Sequence, residues 1–251
     1  MVYFVGAGSG APDLITVRGA KLIAQADVIV YAGSLVNPAL LDGKKKTCSV
    51  FNSAEMTLEQ VLHVMIPAAQ DGKLVVRLHT GDPCVYGAHR EQMDALDAAG
   101  IPYEVCPGVS SFCGAAAALR AEYTLPGISQ TVILTRLEGR TPVPESERIE
   151  ALAAHGASMA VFLSAGKLAE LSQRLEAGGY APDTPAAIVY KASWPDEKIV
   201  RTTVSGLAEA ADRAQITKTA LIVVGRFLGG GYERSRLYDP SFTTGFREGR
   251  A

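Results

Sequence analysis

Val2-Tyr3-Phe4-Val5-Gly6-Ala7-Gly8-Ser9-Gly10-Ala11-Pro12-Asp13 is the stretch on which the fold turns. Four apolar residues make a short strand, and three closely spaced glycines leave it before a helix predicted over Thr16 to Ala24. A glycine carries no Cβ, so backbone N–H groups there can approach a ligand closely at the start of a helix. Loops at the carboxyl ends of parallel strands are where open α/β sheets bind nucleotide-like molecules. A tight turn with no ligand is the alternative reading of the same glycines.

Moving outward, strand-like and helix-like segments alternate through the first half, the pattern of a parallel sheet with helical crossovers. Asp27 to Tyr31 reads as a second strand. Leu58, Val61, Leu62, Met65 and Ile66 recur at helical spacing, with Thr57 and Gln60 placed for a capping box and Pro67 expected to end the helix. Leu74 to Leu78 is a strand, followed by Thr80-Gly81-Asp82-Pro83, a helix near Glu91 to Ala98, a strand at Tyr103 to Val105, and Pro107-Gly108-Val109-Ser110-Ser111 before an Ala-rich helix.

Glu122 to Gly127 breaks the periodicity, and the domain junction is expected there. The division read from sequence is an N-terminal α/β domain over residues 1–121 with a mainly parallel sheet, a C-terminal α/β domain over 130–228 with a mixed sheet, and a flexible tail over 229–251. In the second half Thr131–Leu134, Ala160–Leu163, Ala186–Tyr190, Ile199–Val204 and Leu221–Val224 read as strands, Ile199–Val204 as part of a hairpin. Lys167 to Ala177 reads as a helix stopped by Gly178-Gly179.

Composition narrows the function. Apolar residues are 48% of the 251 and charged ones 20%, which suits a globular chain with a real core. Lys plus Arg number 24 against 26 Asp plus Glu, so the chain lacks the basic field of most nucleic-acid binders. The longest apolar runs are strand-length, far below the ~20 residues of a membrane helix. The four cysteines form no C-x-x-C pair and no signal peptide is recognisable, so a reduced cytoplasm is expected.

The motifs exclude more than they assign. The first loop is G-x-G-x-G, not G-x-G-x-x-G, and Tyr31-Ala32-Gly33 brings no acidic residue for a ribose, which weakens a dinucleotide site. No Gly-Lys-Ser/Thr makes a phosphate loop, and no Gly-x-Ser-x-Gly elbow suggests a triad. His79 and His89 lack partners at metal-ligand spacing, so no metal site is expected. Asp82 can hold a ribose hydroxyl or an ammonium group, or bond its own turn backbone. Ser110 and Ser111 can cap the following helix or reach the same ligand. Arg136 and Arg140 suit carboxylate-bearing substrates through the guanidinium fork, or pair with Glu138, Glu145 or Glu147.

Taken together, Val5 to Thr16, Tyr31 to Val36, Leu78 to Gly87 and Pro107 to Phe112 resemble the tetrapyrrole methylase family. Leu134-Thr135-Arg136-Leu137-Glu138-Gly139-Arg140-Thr141-Pro142-Val143-Pro144 is similar to the branch acting on carbon 11 of precorrin-4. The resemblance runs from about residue 2 to residue 228. It implies two α/β domains with S-adenosylmethionine bound in the cleft between them, S-adenosylhomocysteine as product, a homodimer in the cytoplasm, and a role in cobalamin biosynthesis. By motif match it implies cofactor contacts at Gly8, Ser9, Thr80, Gly81, Asp82, Ser110, Ser111, Leu163, Ala192 and Ala220, and substrate carboxylate contacts at Arg136 and Arg140.

Ser9 stands where the family often has proline and Ala11 where it often has aspartate, so no carboxylate base exists at position 11. The catalytic residues stay unassigned, with Asp82 and Tyr86 the candidates. Other readings left open are methylation at another ring position or of the cobalt-containing precursor, a nicotinamide-dependent oxidoreductase, and a non-catalytic binding module.

Overall fold

A computed structural model of the chain describes residues 1–250, which divide into two compact units. The first comprises residues 1–117 with Lys191–Glu197, the second residues 118–190 and 198–250.

In the first unit, β1 (Val2–Gly6), β2 (Val28–Tyr31), β3 (Ser49–Asn52), β4 (Val75–His79) and β5 (Tyr103–Cys106) form one sheet in the order β3-β2-β4-β1-β5. Every pairing is parallel. The central strands are near-continuous apolar runs because helices cover both faces. Helix α1 (Val17–Gln25) lies on one face, where Leu22 and Ile23 pack with Val5, Ile29, Val76 and Leu78. On the other face α2 (Leu58–Gln70) and α3 (Arg90–Ala98) bring Val61, Met65 and Leu96 onto Phe4, Val30 and Val75. The connections leaving the neighbouring strands β1 and β4 therefore depart to opposite faces, which makes their carboxyl ends a topological switch point. Helix α4 (Ser111–Leu119) follows β5.

In the second unit, β6 (Val132–Arg136), β7 (Ser158–Phe162), β8 (Pro185–Tyr190), β9 (Lys198–Thr203) and β10 (Ala220–Val224) give the order β6-β7-β10-β8-β9. Only β6 and β7 pair in parallel, so the sheet is mixed, and β8 with β9 is the expected hairpin. Helices α5 (Ile149–Ala153), α6 (Leu168–Ala177) and α7 (Leu207–Ala214) bury Ile149, Leu171, Leu175 and Leu207 against Met159, Val161, Ile188 and Ile222. Residues 229–250 hold a short 3-10 turn at Arg236–Tyr238, and the Arg247 guanidinium donates to the carbonyls of Leu237, Asp239 and Phe242.

The elements expected from periodicity are present with shifts of a few residues at their ends. Pro67 does not end its helix, which continues to Gln70. The carbonyl that loses its donor at Pro67 is that of His63, and both residues are exposed, on the solvent side of the helix where the missing bond costs less than in the core. The edge strand β3 went unread because Ser49-Val50-Phe51-Asn52 is short and half polar. The capping box is formed: the Thr57 amide donates to Gln60 Oε1 at 2.8 Å and the Gln60 amide to Thr57 Oγ1 at 3.3 Å.

Removing that cap by Thr57→Ala should cost about 1 kcal/mol of stability. Pro67→Ala should instead raise stability, by up to about 3 kcal/mol, since it restores an α2 hydrogen bond. Urea unfolding of the two variants measures both, with opposite signs expected.

Candidate functional site

The carboxyl ends of β1, β4 and β5 carry three loops whose backbones meet almost without side chains between them. A Cβ on Gly6 would lie 2.6 Å from the Gly108 Cα and 2.6 Å from the Gly81 carbonyl oxygen. A Cβ on Gly108 would in turn meet the Gly6 Cα at 2.7 Å. Only glycine fits at either place. Gly8 and Gly81 have left-handed backbones, φ 84° and 60°, and exchange two hydrogen bonds, Gly8 N–H to Gly81 O at 3.2 Å and Gly81 N–H to Gly8 O at 2.9 Å. The Ala7 amide donates to the His79 carbonyl at 2.8 Å, so the first loop is an extension of the β1–β4 pairing.

Asp82 joins the second loop to the third. Its Oδ1 accepts from the Cys84 amide and its Oδ2 from the Gly108 amide, both at 2.8 Å. Partial burial alone would raise its pKa, but hydrogen bonds from Cys84 and Gly108 outweigh that and hold it below the usual carboxylate range. The turn-bonding role read from sequence is therefore present, and the carboxylate keeps lone pairs beyond those that the two amides occupy. Thr80 is half-buried above it, and Ser110 is buried at the start of α4, its carbonyl accepting from Cys113 and Gly114. Ser111 opens α4 beside it, where its backbone nitrogen lies 3.6 Å from a Cβ built on Gly81. Tyr86 and Ala88 flank Gly87 with left-handed backbones, φ 56° and 46°, and Tyr86 is 46% exposed. Strain of that kind collects at functional loops.

Beneath the second loop lies a polar layer that sequence reading missed. Arg77 is buried in β4 and donates from Nε to Gln92 Oε1 at 3.0 Å and from a terminal nitrogen to the Val30 carbonyl at 3.2 Å. Burial lowers its pKa to about 10. His79 is also buried, its ring tilted against Phe4 and edge-on to His89 at centroid separations of 6.0 and 5.7 Å, and its Nε2 meets no hydrogen-bond partner among the described residues. Burial, helped by the neighbouring Arg77 and His89, pulls its pKa down to about 3. The clue in the sequence was Arg77 inside a strand that is otherwise apolar.

Ser9 is not turned outward. It is buried, and its hydroxyl is 2.9 Å from the Ser193 hydroxyl, on the segment Lys191–Glu197 that packs with this unit. Ala192 is buried beside it, 3.5 Å from a Cβ built on Gly114. Where a nicotinamide enzyme would need an acidic residue after β2, Gly33 N–H instead donates to Asn52 Oδ1 at 3.1 Å.

The other residues read from sequence belong to the second unit. Leu163 follows β7 with a left-handed backbone, φ 53°, and is 71% exposed, an unusual state for a large apolar side chain. Buried Ser164 braces it, its hydroxyl donating to the Phe162 carbonyl at 2.7 Å and accepting from the Leu137 amide at 3.0 Å. Ala220 is half-buried at the start of β10. Arg136 directs its guanidinium at the carbonyls of Leu137, Thr141 and Pro142, closing the loop that follows β6. Glu138 pairs with Arg174 at 2.5 Å, not with either loop arginine. Arg140 is exposed and makes no hydrogen bond or ion pair among the described residues.

Residues 1–208 match the model of the Tetrapyrrole (Corrin/Porphyrin) Methylases. The chain belongs to this family. A cobalt-precorrin-4 C(11)-methyltransferase of Methanocaldococcus jannaschii is 52% identical over 98% of this chain and 96% of the relative. A precorrin-4 C(11)-methyltransferase of Mycobacterium tuberculosis is 45% identical over 94% of this chain and 95% of the relative. Among solved structures, that of a cobalt precorrin-4 methyltransferase, a cobalamin biosynthetic enzyme, superposes with TM-score 0.89 at 49% identity, covering 91% of this chain and 96% of the other. A uroporphyrin-III C-methyltransferase of Thermus thermophilus, solved with S-adenosylhomocysteine, gives TM-score 0.75 at 25% identity, with 90% and 92% covered. Thr80, Ser110 and Ser111 thus bring hydroxyls to these loops and Asp82 an anchored, acceptor-only carboxylate.

Two outcomes follow from this layout. Gly108→Ala should cost about 1–3 kcal/mol, since the new methyl meets backbone and not a yielding side chain, and thermal unfolding measures it. His79 is neutral in the folded state down to about pH 3, whereas in the unfolded chain it protonates near 6.5. The unfolded state binds the extra proton between those values, so stability falls as pH drops through that window, by up to about 1.4 kcal/mol per unit. His79→Gln should flatten this part of the pH–stability curve, read from urea midpoints at pH 7 and 5.

Proposed function

We propose that the protein is an S-adenosylmethionine-dependent methyltransferase that methylates carbon 11 of precorrin-4, giving precorrin-5 in cobalamin biosynthesis. The observation that carries this reading is the rigid meeting of the Gly6, Gly81 and Gly108 loops around Asp82, in a chain similar over nearly its full length to enzymes of that name. The M. jannaschii relative is named for cobalt-precorrin-4 and the M. tuberculosis relative for precorrin-4. Cobalt, where present, is part of the substrate: among the described residues no group of three or more His, Cys, Asp or Glu could hold a metal ion.

S-adenosylmethionine supplies a sulfonium methyl that is already electrophilic, so the protein's main task is placement. Near-attack positioning can lower a barrier by about 7–11 kcal/mol. Asp82, with a depressed pKa and two backbone donors, is a poor proton acceptor and a good fixed anchor. Thr80, Gly81, Ser110 and Ser111 line the same loops, and Leu163, Ala192 and Ala220 complete the set of cofactor contacts implied by the family motifs. Gly8 contributes through its backbone, already committed to Gly81. Tyr86 stands at the rim, half-exposed on a strained backbone.

For the substrate's acetate and propionate groups the two arginines divide the work. Arg136 shapes the loop through three carbonyls, and Arg140 offers an uncommitted guanidinium. Action in the cytoplasm and as a homodimer belongs to the same proposal and rests on the family resemblance. No helix is long and apolar enough to cross a membrane among the described residues.

Calorimetric titration with S-adenosylhomocysteine, with NADH alongside, tests the reading. Binding of the first alone is expected, and binding of NADH alone would overturn it. In turnover assays Arg140→Ala should raise the KM for precorrin-4 by roughly 10- to 100-fold, the loss of a charged hydrogen bond, with S-adenosylhomocysteine affinity unchanged.

A further inference from the structure

Lys191-Ala192-Ser193-Trp194-Pro195-Asp196-Glu197 joins β8 to β9 but packs with the first unit, against the glycine loop that leaves β1. One hydroxyl makes the attachment. Ser193 Oγ lies 2.9 Å from Ser9 Oγ and accepts from the Ala11 amide at 3.0 Å, so it holds the loop at two points. Its backbone is left-handed, φ 66°, a costly state for serine, and is fixed by its own amide donating to Glu197 Oε2 at 2.6 Å.

The rest of the segment closes around the same loop. The Trp194 ring lies so near Gly10 that any Cβ there would collide with it. Lys191 Nζ sits 5.4 Å from the centre of that ring and 2.6 Å from Asp196 Oδ2. From the other side, Gly114 of α4 comes within 2.8 Å of the Ser9 side chain, measured to a Cβ built on the glycine, and Asn37 Nδ2 donates to the Gly10 carbonyl at 2.9 Å. Ser9 is thus boxed in by Ser193 and α4, and its hydroxyl is engaged before any ligand arrives.

The geometry points to Ser193 as a positioning residue for cofactor binding: acting through Ser9 and Ala11, it fixes the glycine loop in its binding conformation, and Trp194 seats the strap on Gly10. This rests on the proposal that the loop serves S-adenosylmethionine, and it gives the Ser9 hydroxyl an indirect part in that binding. A preorganised loop avoids an ordering cost when ligand binds, so losing the clamp should weaken the ligand and leave the chemistry alone.

Trp194 is the chain's single tryptophan, so its emission reports the strap without a label. The experiment compares wild type, Ser193→Ala, Ser9→Ala and the double variant by calorimetry with S-adenosylhomocysteine, by acrylamide quenching of Trp194, and by steady-state kinetics. Removing the shared hydroxyl leaves the Ala11 amide unpaired, so Ser193→Ala is expected to weaken S-adenosylhomocysteine roughly tenfold and raise the KM for S-adenosylmethionine similarly, with kcat nearly unchanged and Trp194 more quenchable. The double variant should be no worse than Ser193→Ala, because the two hydroxyls act as one unit.

Unchanged affinity and quenching in a folded Ser193→Ala protein would overturn the inference. So would a loss of kcat at constant KM. If Ser193→Ala fails to fold, Ser193→Gly, which relieves the left-handed backbone while still removing the hydroxyl, takes its place with the same expected and overturning outcomes. Failure of wild type itself to bind S-adenosylhomocysteine would instead count against the proposed function, so the two failures are distinguishable.

Discussion

The approach of three backbones at Gly6, Gly81 and Gly108 is the constraint on which the site depends. Parallel strands sit a fixed distance apart, so the loops leaving β1, β4 and β5 converge only if nothing projects between them. With no Cβ at these places, the Asp82 carboxylate can reach the Gly108 amide and the first loop can pair with the second through Gly8 and Gly81. The result is a polar surface of fixed geometry at the switch point of the sheet, where a small molecule with several charged groups can be held by groups that are already in place.

Rigidity is built from beneath as well. Arg77 and His79 lie buried on the α3 side of β4, Arg77 tied to Gln92 and His79 packed near Phe4. A buried guanidinium without a carboxylate partner lowers stability relative to an apolar residue of equal size, and here its donors are directed to a side-chain amide and backbone carbonyls instead. The second unit handles its own exposed feature similarly: Leu163 keeps an unfavourable backbone and an exposed apolar side chain because Ser164 locks the peptide on either side.

The proposed catalysis by placement calls for no strong acid or base among these loops. The carboxylate at hand, Asp82, is bound to two amides and held below its usual pKa. The absent aspartate at position 11 costs nothing in such a scheme, because Ala11 contributes only its backbone amide, which donates to Ser193 Oγ.

What the sequence determined alone was the alternation of apolar strands and amphipathic helices, hence two α/β sheets, one parallel and one mixed, and the order of the glycine-bearing loops. These follow from local periodicity and turn chemistry, which depend on neighbours within a few residues. Even there Pro67 misled, because whether a helix tolerates proline depends on the solvent exposure of the carbonyl four residues earlier. Tertiary structure alone decided what the polar groups do. Ser9 and Ser193 are 184 residues apart, Asp82 and Gly108 are 26 apart, and Arg136 turns to its own loop while Arg140 does not. A hydrogen bond is set by distances of tenths of an ångström, and no spacing pattern along the chain carries that information across such separations.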